Sequence, residues 1–397
     1  FLHDRIQQAA YSLIPEAAKP AVHRKVGQLL LEHTPANKRE QKIFDIANQL
    51  NLGRELSKNQ SERDELAQLN LIAGRKAKAS AAYEPALRYL KIGVELLGEG
   101  SWQRAYDLTL ALYVEAAESA YLSTDFEQME KLAGKVLHQS ASLLDRVKVY
   151  EVKIEAYIAQ NQLLKAVKTA LFVLNLLGIK FSDNPRQWEV LRELVTTKFA
   201  LVGKQIEDVL DLPQMTDSHK LAAMRIMASV SSATYFAVPE LLPLVIFKQV
   251  QLSLQHGNAP ESSFAYASYG LILCGVLNDI PSGYRFGNVA LSLLDKVNLK
   301  KFRARTLMVV NGFIKHWKEP VRATLKSFLG AYSIGLETGD LEFASLSAFI
   351  YSCHSYLCGK ELAKIEREMA DYRVILGQLK QQTALYLQEM YHQAVLN

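Results

Sequence analysis

The sequence predicts an all-α fold, a right-handed superhelix (α-solenoid) of paired helices. Apolar residues recur at spacings of three and four nearly throughout the 397 residues, and no stretch alternates as a strand does. Junctions between two helical patterns recur at a nearly constant period, close to Tyr83, Phe126, Leu163, Pro239, Ile280, Pro320 and Glu361. A fixed period of about 40 residues is typical of helix pairs that bury a core only by stacking on their neighbours.

The elements follow in order along the chain. Residues 1–60 are predicted to form entry helices, and residues 61–397 the repeat array. In the first pair, one helix ends near Ala81 and the next ends at Gly98, since glycine commonly stops a helix. Two further pairs are predicted from Trp102 to Leu122 with Phe126 to His138, and from Asp145 to Ala159 with Leu163 to Leu177.

The stretch 181–216 interrupts this rhythm. It contains Pro185 and the turn-forming Asp211-Leu212-Pro213, so we expect an irregular pair there. Regular pairs resume at Ser218 and continue to the end of the chain. The helix after Ser218 is rich in small residues, which predict a close approach of neighbouring backbones: Ala222, Ala223, Ala228, Ser229, Ser231, Ser232 and Ala233.

Composition limits the function. The 46 basic residues barely exceed the 41 acidic ones and are scattered, which argues against nucleic acid as the main partner. Three cysteines in so long a chain predict a reducing, cytoplasmic location. No apolar run is long enough to cross a bilayer. Because Phe1 is not an initiator methionine, we expect the chain to be a piece of a longer protein.

The clearest repeat carries small and aromatic residues at particular places. Gly74 lies in its first helix, Tyr83 at the turn, and Ala86 and Gly93 in its second helix. These positions resemble the tetratricopeptide (TPR) pattern, and later pairs resemble it less closely. The resemblance covers roughly residues 61–397 and implies TPR-like helix pairs.

The entry segment resembles a second family. Residues 1–13 (FLHDRIQQAAYSL) and 23–30 (HRKVGQLL) resemble the segment where the winged-helix module of STAND-type signalling ATPases passes into a helical arm. Residues 43–53 and 69–77 are similar to that arm in bacterial multi-sensor hybrid kinases. The resemblance implies a parent protein with serine/threonine kinase, ATPase, GAF and histidine kinase domains. ATP or ADP with Mg would be held in those domains, and no cofactor is expected in this fragment.

The same resemblance implies a role for two residues of the entry segment. In that superfamily a His-Asp pair can contact the β-phosphate of bound ADP, and the matching residues are His3 and Asp4. An imidazole can donate to a phosphate oxygen. The alternative is that His3 caps or packs its helix.

Catalytic and metal motifs are absent from the sequence. Gly203-Lys204 lacks the remainder of a phosphate loop, and His3-Asp4-Arg5 is not the kinase catalytic triplet. Cys353 and Cys358, which flank His354, do not place three zinc ligands on one helical face, so we interpret them as buried thiols. We therefore expect no enzyme activity in this fragment, although a site assembled from distant helices stays open.

Two surfaces are candidates for partner binding. The first helix of the clearest repeat has polar residues off its apolar stripe, Gln68, Asn70, Arg75 and Lys78, and first helices are expected to face the concave side. The second surface is a basic turn, whose candidate residues are Lys300, Lys301 and Arg303, with Lys296, Arg305 and residues 315–318 nearby. It could bind phosphate, acidic protein or nucleic acid. The alternative is that it is only a solvated helix end.

The tyrosines supply one further expectation. Six recur in the second half of the chain, and most are predicted to pack between helices while some line a groove: Tyr266, Tyr269, Tyr284, Tyr332, Tyr351 and Tyr356.

The sequence thus favours a non-catalytic sensor or scaffold arm of a signalling ATPase-kinase. It would bind a protein, either its own kinase and ATPase domains or a signalling partner, or else a small ligand, and relay its state to attached kinase domains. A stand-alone protein-interaction scaffold is the first alternative. A nucleic-acid-binding α-solenoid is the second.

Overall fold

A computed structural model describes Ala9 and residues 11–182, 185–297, 300 and 302–397. Within these residues the chain is all-α and contains no strand, so the predicted fold class is confirmed. A lone bridge joins Gln214 and Asn258. The right-handed sense of the superhelix stays a prediction. The chain forms two compact units, residues 1–140 and residues 141–397.

The first unit consists of consecutive helices. These are α1 (Lys19–His33), α2 (Ile43–Leu52), α3 (Gln60–Ala79), α4 (Tyr83–Leu97), the single turn α5 (Ser101–Arg104), α6 (Tyr106–Leu122) and α7 (Phe126–Gln139). α3 packs against α4, and α6 packs against both. A Cβ at Gly74 would lie 2.5 Å from the Leu90 side chain, so glycine permits this close approach. Each pair therefore completes its core with the next, as stacked repeats do.

The turns inside several of the pairs share one geometry. Ala81 follows α3 with a left-handed φ of 55°, and Asn161 has a φ of 57°. The amide after each of them donates back to a carbonyl five residues earlier, Ala82 to Ala77 at 2.9 Å and Gln162 to Tyr157 at 2.7 Å. This is the Schellman arrangement, which satisfies the last carbonyls of a helix while reversing the chain.

The second unit continues the series with twelve helices among the described residues. These are α8 (Leu143–Ala159), α9 (Leu163–Leu176), α10 (Gln187–Leu201), α11 (Ser218–Ala237), α12 (Leu242–His256), α13 (Ser262–Gly275), α14 (Ile280–Val297), α15 (Arg303–Phe313), α16 (Leu325–Thr338), α17 (Leu341–Leu357), α18 (Leu362–Gln378) and α19 (Gln382–Leu396). The predicted starts of second helices at Leu163 and Ile280 are confirmed.

The predicted irregular stretch contains one α-helix, α10, followed by a 3-10 helix, Ile206–Asp211, instead of a second α-helix. The 3-10 helix packs against α14. It is held from the side by Asn258, whose Nδ2 donates to the carbonyl of Val209 at 2.7 Å.

Six helices of residues 141–397 form a closed series, which we call the inner helices: α8, α11, α13, α15, α17 and α19. Each contacts the next, and α19 returns to contact α8. At that contact the Thr383 hydroxyl lies 3.2 Å from Oδ1 of Asn161. α11, α13 and α17 are consequently buried on most of their faces. The small residues of α11 are buried, with Ala222, Ala223 and Ala233 at 0% exposure, and the close approach of neighbouring backbones stays a prediction.

Candidate functional site

The predicted partner surface on α3 is engaged within its own unit. Gln68 and Arg75 are exposed. Nε of Arg75 lies 2.9 Å from Oε1 of Glu115, and Nζ of Lys78 lies 2.7 Å from Oε2 of Glu118. Both glutamates are on α6, the first helix of the next pair. The two cations therefore bridge successive first helices, and their role in partner binding stays a prediction.

Asn70 was expected to be available at this surface, and that expectation is wrong. Its side chain is 0% exposed. Asn70 and Asn51 exchange two amide hydrogen bonds of 2.8 Å, so α2 and α3 are joined by a satisfied polar pair. A polar residue that lies off the apolar stripe of its helix can still be buried when a neighbouring helix supplies a hydrogen-bond partner.

The residues of the predicted basic turn lie in different environments. Lys300 is exposed, and Lys301 lies outside the described residues. Arg303 lies 2.6 Å from Asp295, and Lys296 lies 2.8 Å from Asp211. These pairs reduce the positive charge that a phosphate backbone would require.

Arg305 does not belong to that surface, because it is only 5% exposed. Its Nε and Nη2 each lie 2.9 Å from an oxygen of Asp340, which immediately precedes α17. The guanidinium carbon lies 4.7 Å from the ring centroid of Phe343 and 5.7 Å from that of Phe264. A bidentate pair packed among aromatic rings joins α15 to α17 at the centre of the inner helices.

A second carboxyl group lies beside this pair. Burial raises the pKa of Glu342 to about 8, although the Ser232 hydroxyl and the Arg305 charge act in the opposite direction. At neutral pH the carboxyl is therefore mainly protonated, as expected for an acid kept away from water. Ser232 also lines the cavity described next.

The most prominent candidate site is a cavity of about 400 Å³ among the inner helices. Its walls come from α11, α12, α13, α15, α17 and α19, and they include Phe264, Phe313 and Phe343. No charged side chain lines it among the described residues. Tyr235 and Phe236, which are 44% and 40% exposed, mark its opening to solvent. We call it the aromatic cavity; an apolar pocket of this size with few polar groups is typical of small-molecule sites.

Histidine is the main polar feature of the aromatic cavity. His354 on α17 is 8% exposed, and its Nδ1 lies 2.8 Å from the hydroxyl of Thr324. The ring stacks edge-on against Phe328, with centroids 5.0 Å apart. Burial lowers the pKa of His354 to about 4, so the imidazole is neutral at physiological pH.

The neighbouring thiol is also part of the wall. Burial raises the pKa of Cys353 to about 12, despite a hydrogen bond with Tyr391. A thiol in this state is a poor nucleophile. Cys353 is buried as predicted, whereas Cys358 is only partly buried because it caps the end of α17.

An exposed apolar stripe lies on α10 and its C-terminus. Its members are spaced by three and four residues, and their exposed fractions run from 43% to 72%: Trp188, Leu191, Val195, Phe199 and Val202. Contiguous apolar residues of this kind commonly mark an interaction surface.

Sequence reasoning missed the aromatic cavity. Of the six tyrosines named from the sequence, Tyr266 and Tyr269 are buried packing residues as predicted. None of the six lines the cavity, and Tyr235 and Tyr391 line it instead. One signal was present in the sequence: Ser231 and Ser232 of α11 are small polar residues, and both line the cavity. That signal alone does not distinguish a cavity from close packing.

No family model matches the chain. The chain is 24% identical, over 422 aligned residues, to Hybrid signal transduction histidine kinase G of Dictyostelium discoideum. The alignment covers 94% of this chain but 12% of that kinase, so the chain spans a small part of its length. This similarity supports a link to signal transduction kinases. The ATPase module and the TPR-like repeat family stay predictions.

His3 and Asp4 lie outside the described residues. In the part of the chain that is described, no group of three His, Cys, Asp or Glu side chains is placed to hold a metal ion. No helix there is both long and apolar enough to cross a bilayer.

Proposed function

We propose that this chain is a non-catalytic, ligand-sensing arm of a signalling kinase. A small molecule held in the aromatic cavity sets the spacing of the inner helices, and the arm relays that spacing to attached kinase domains. The proposal places the arm in the cytoplasm. It assigns ATP or ADP with Mg, and nucleotide sensing by His3 and Asp4, to the longer protein.

One observation carries the proposal: the cavity wall is shared by the first helices of four helix pairs, α11, α13, α15 and α17, together with α12 and α19. A ligand that touches several pairs binds most tightly at one particular spacing of them. Such differential affinity is the requirement for a ligand to shift a conformational equilibrium. The coupling is reciprocal, so a change in the attached domains alters ligand affinity by the same factor.

A matched pair of glycines tests the relay. A Cβ at Gly312, which lines the cavity, would meet Ile350 at 3.4 Å, whereas a Cβ at Gly330 would have nothing within 4 Å. Gly312→Val should therefore fill part of the cavity, and Gly330→Val should fill open space. In the longer protein, autophosphorylation should change in Gly312→Val and stay at the wild-type rate in Gly330→Val. Equal rates in all three proteins would contradict the relay.

A second candidate is a scaffold, favoured by the apolar stripe on α10. Because the similar kinase is far longer than this chain, we propose that the stripe docks another domain of the same longer protein. Hydrogen exchange at residues 188–202 should be slower in the longer protein than in the isolated chain, and Leu191→Ser with Phe199→Ser should remove the difference. Equal exchange in both proteins would contradict this docking.

A further inference from the structure

Deepening the proposed function, we propose that the aromatic cavity binds a neutral, largely apolar alcohol or phenol whose hydroxyl donates a hydrogen bond to Nε2 of His354. The inference rests on the proposed function for its biological role but on the cavity alone for its chemistry. Three features of the cavity support it: the tautomer of His354, the uncharged wall and the volume.

The hydroxyl of Thr324 determines the tautomer of His354. That hydroxyl lies 2.7 Å from the carbonyl oxygen of Val321, which can only accept a hydrogen bond. Thr324 has a single proton and donates it there, so it accepts from Nδ1 of His354 at 2.8 Å. The neutral ring thus carries its proton on Nδ1 and a lone pair on Nε2.

The acceptor on Nε2 is available to a ligand. No group among the described residues hydrogen-bonds this atom, and the side chain that carries it is 8% exposed and lines the cavity. An acceptor in the wall of an apolar cavity favours a ligand that donates a hydrogen bond to it. A carbonyl or ether oxygen at the same place cannot donate one.

The remaining wall determines the charge and size of the ligand. No Lys, Arg, Asp or Glu lines the cavity among the described residues, so an ion would lose its hydration without gaining a partner. Ser231 is already engaged, since its hydroxyl donates to the carbonyl of Met227 at 2.8 Å. At about 30 Å³ per water, the cavity of about 400 Å³ has room for roughly a dozen non-hydrogen atoms.

Two isomeric probes test the donor. 1-Octanol and 1-methoxyheptane have the same atoms, but only the alcohol can donate a hydrogen bond. Calorimetric titration of the full 397-residue chain at neutral pH should show 1-octanol binding about two- to tenfold more tightly, the range of one net hydrogen bond. Equal affinities, tighter binding of the ether, or no binding of either probe would overturn the proposal.

Variants and a spectroscopic measurement locate the contact. His354→Phe should equalise the two affinities, whereas Tyr356→Phe, an exposed position on the same helix, should preserve the preference for the alcohol. In the wild-type chain with ¹⁵N-labelled histidine, 1-octanol should shift the Nε2 resonance of His354 and the ether should not. This measurement does not depend on the folding of a variant. A preference that persists in His354→Phe, or an unmoved Nε2 resonance, would refute the contact.

The ligand site and the relay can fail separately. Gly312→Val should weaken binding of both probes, with Gly330→Val as the control, and binding unaffected by Gly312→Val would overturn the site. If the probes bind as expected but autophosphorylation of the longer protein is the same in both variants, the site stands and the relay fails. If Gly312→Val changes autophosphorylation while neither probe binds, the relay stands and this ligand assignment fails.

Discussion

Residues 1–140 and residues 141–397 both join the first helices of successive pairs by an ion pair about one repeat apart, but they place it in different surroundings. The side chains of Arg75 and Glu115 are 52% and 16% exposed, so that pair is partly solvated. Arg305 and Asp340 meet with side chains that are 6% and 5% exposed. The same architecture therefore produces a partly solvated seam in one unit and a buried polar centre in the other.

The difference has energetic consequences. An exposed pair contributes about 0–1 kcal/mol because water screens both charges. A buried pair gains little over well-packed apolar residues, yet losing one partner leaves an uncompensated charge away from water. The second unit therefore tolerates far less change at its centre, where the aromatic cavity lies, than the first unit tolerates at its seam.

Asp340→Asn should produce the largest effect. It keeps the shape of the side chain but leaves the Arg305 charge unpaired, so the free energy of unfolding of residues 141–397 should fall by about 3–5 kcal/mol. The matched change in the other unit, Glu115→Gln, should cost about 1 kcal/mol or less. Urea denaturation measures both. If the two changes lowered the free energy of unfolding by similar amounts, the buried pair would not differ in energy from the partly solvated one, and the comparison would be wrong.

The stability of residues 141–397 should also depend on pH through two buried groups, Glu342 and His354. The folded-state pKa of Glu342, about 8, lies above the ordinary value of 4.5, so the folded protein binds more protons and loses stability as pH rises through this window. His354, with its pKa lowered to about 4 from 6.5, acts oppositely but only below pH 6.5. Between pH 6.5 and 8 the urea midpoint should fall. Glu342→Gln should flatten that fall, and a flat wild-type profile would contradict the assignment.

Charge reversal at the seam should have a smaller effect. Charge reversal of two exposed, unpaired side chains would leave stability nearly unchanged. The structure places Arg75 and Lys78 against Glu115 and Glu118, so Arg75→Glu with Lys78→Glu brings four carboxylates together and should cost about 1–2 kcal/mol. Adding Glu115→Lys and Glu118→Lys should restore most of the loss. An unchanged melting temperature in the variant Arg75→Glu with Lys78→Glu would show that these ion pairs do not contribute to stability.

The turns should give the smallest effects, with opposite signs in the two units. Ala81 and Gly339 both follow a helix with positive φ, 55° and 76°. An L side chain is strained in this conformation, so Ala81→Gly should raise the free energy of unfolding by about 0.5–1 kcal/mol and Gly339→Ala should lower it by about 1 kcal/mol. Thermal unfolding measures both. Changes of the same sign would show that the two turns are not equivalent.

Helix periodicity and junction spacing were readable from the sequence because they arise from local patterns. The second helices begin at Tyr83, Phe126 and Leu163 as the apolar spacing predicted. The turn residues Ala81 and Lys380 were not recognisable, since neither residue type favours the left-handed conformation they adopt. Their conformation follows from the packing of the two flanking helices.

The candidate residues show the same division. Gln68 is exposed as its place on the helix suggested, but Asn70 is buried because Asn51 of another helix satisfies its amide. Likewise, the sequence places Arg305 near a basic surface, but in the structure it is paired with Asp340, which is 35 residues away in the sequence. Burial of a polar group depends on a partner that is distant in sequence.

The sequence by itself determined that the chain is all-α and where its helix pairs join, because each of these follows from side-chain spacing along one or two helices. Only the tertiary structure decided that the inner helices close into a series, that five of them surround an aromatic cavity together with α12, and that His354 lines that cavity. The reason is physical: a cavity is the space left among six helices, and its volume depends on how all of them pack together.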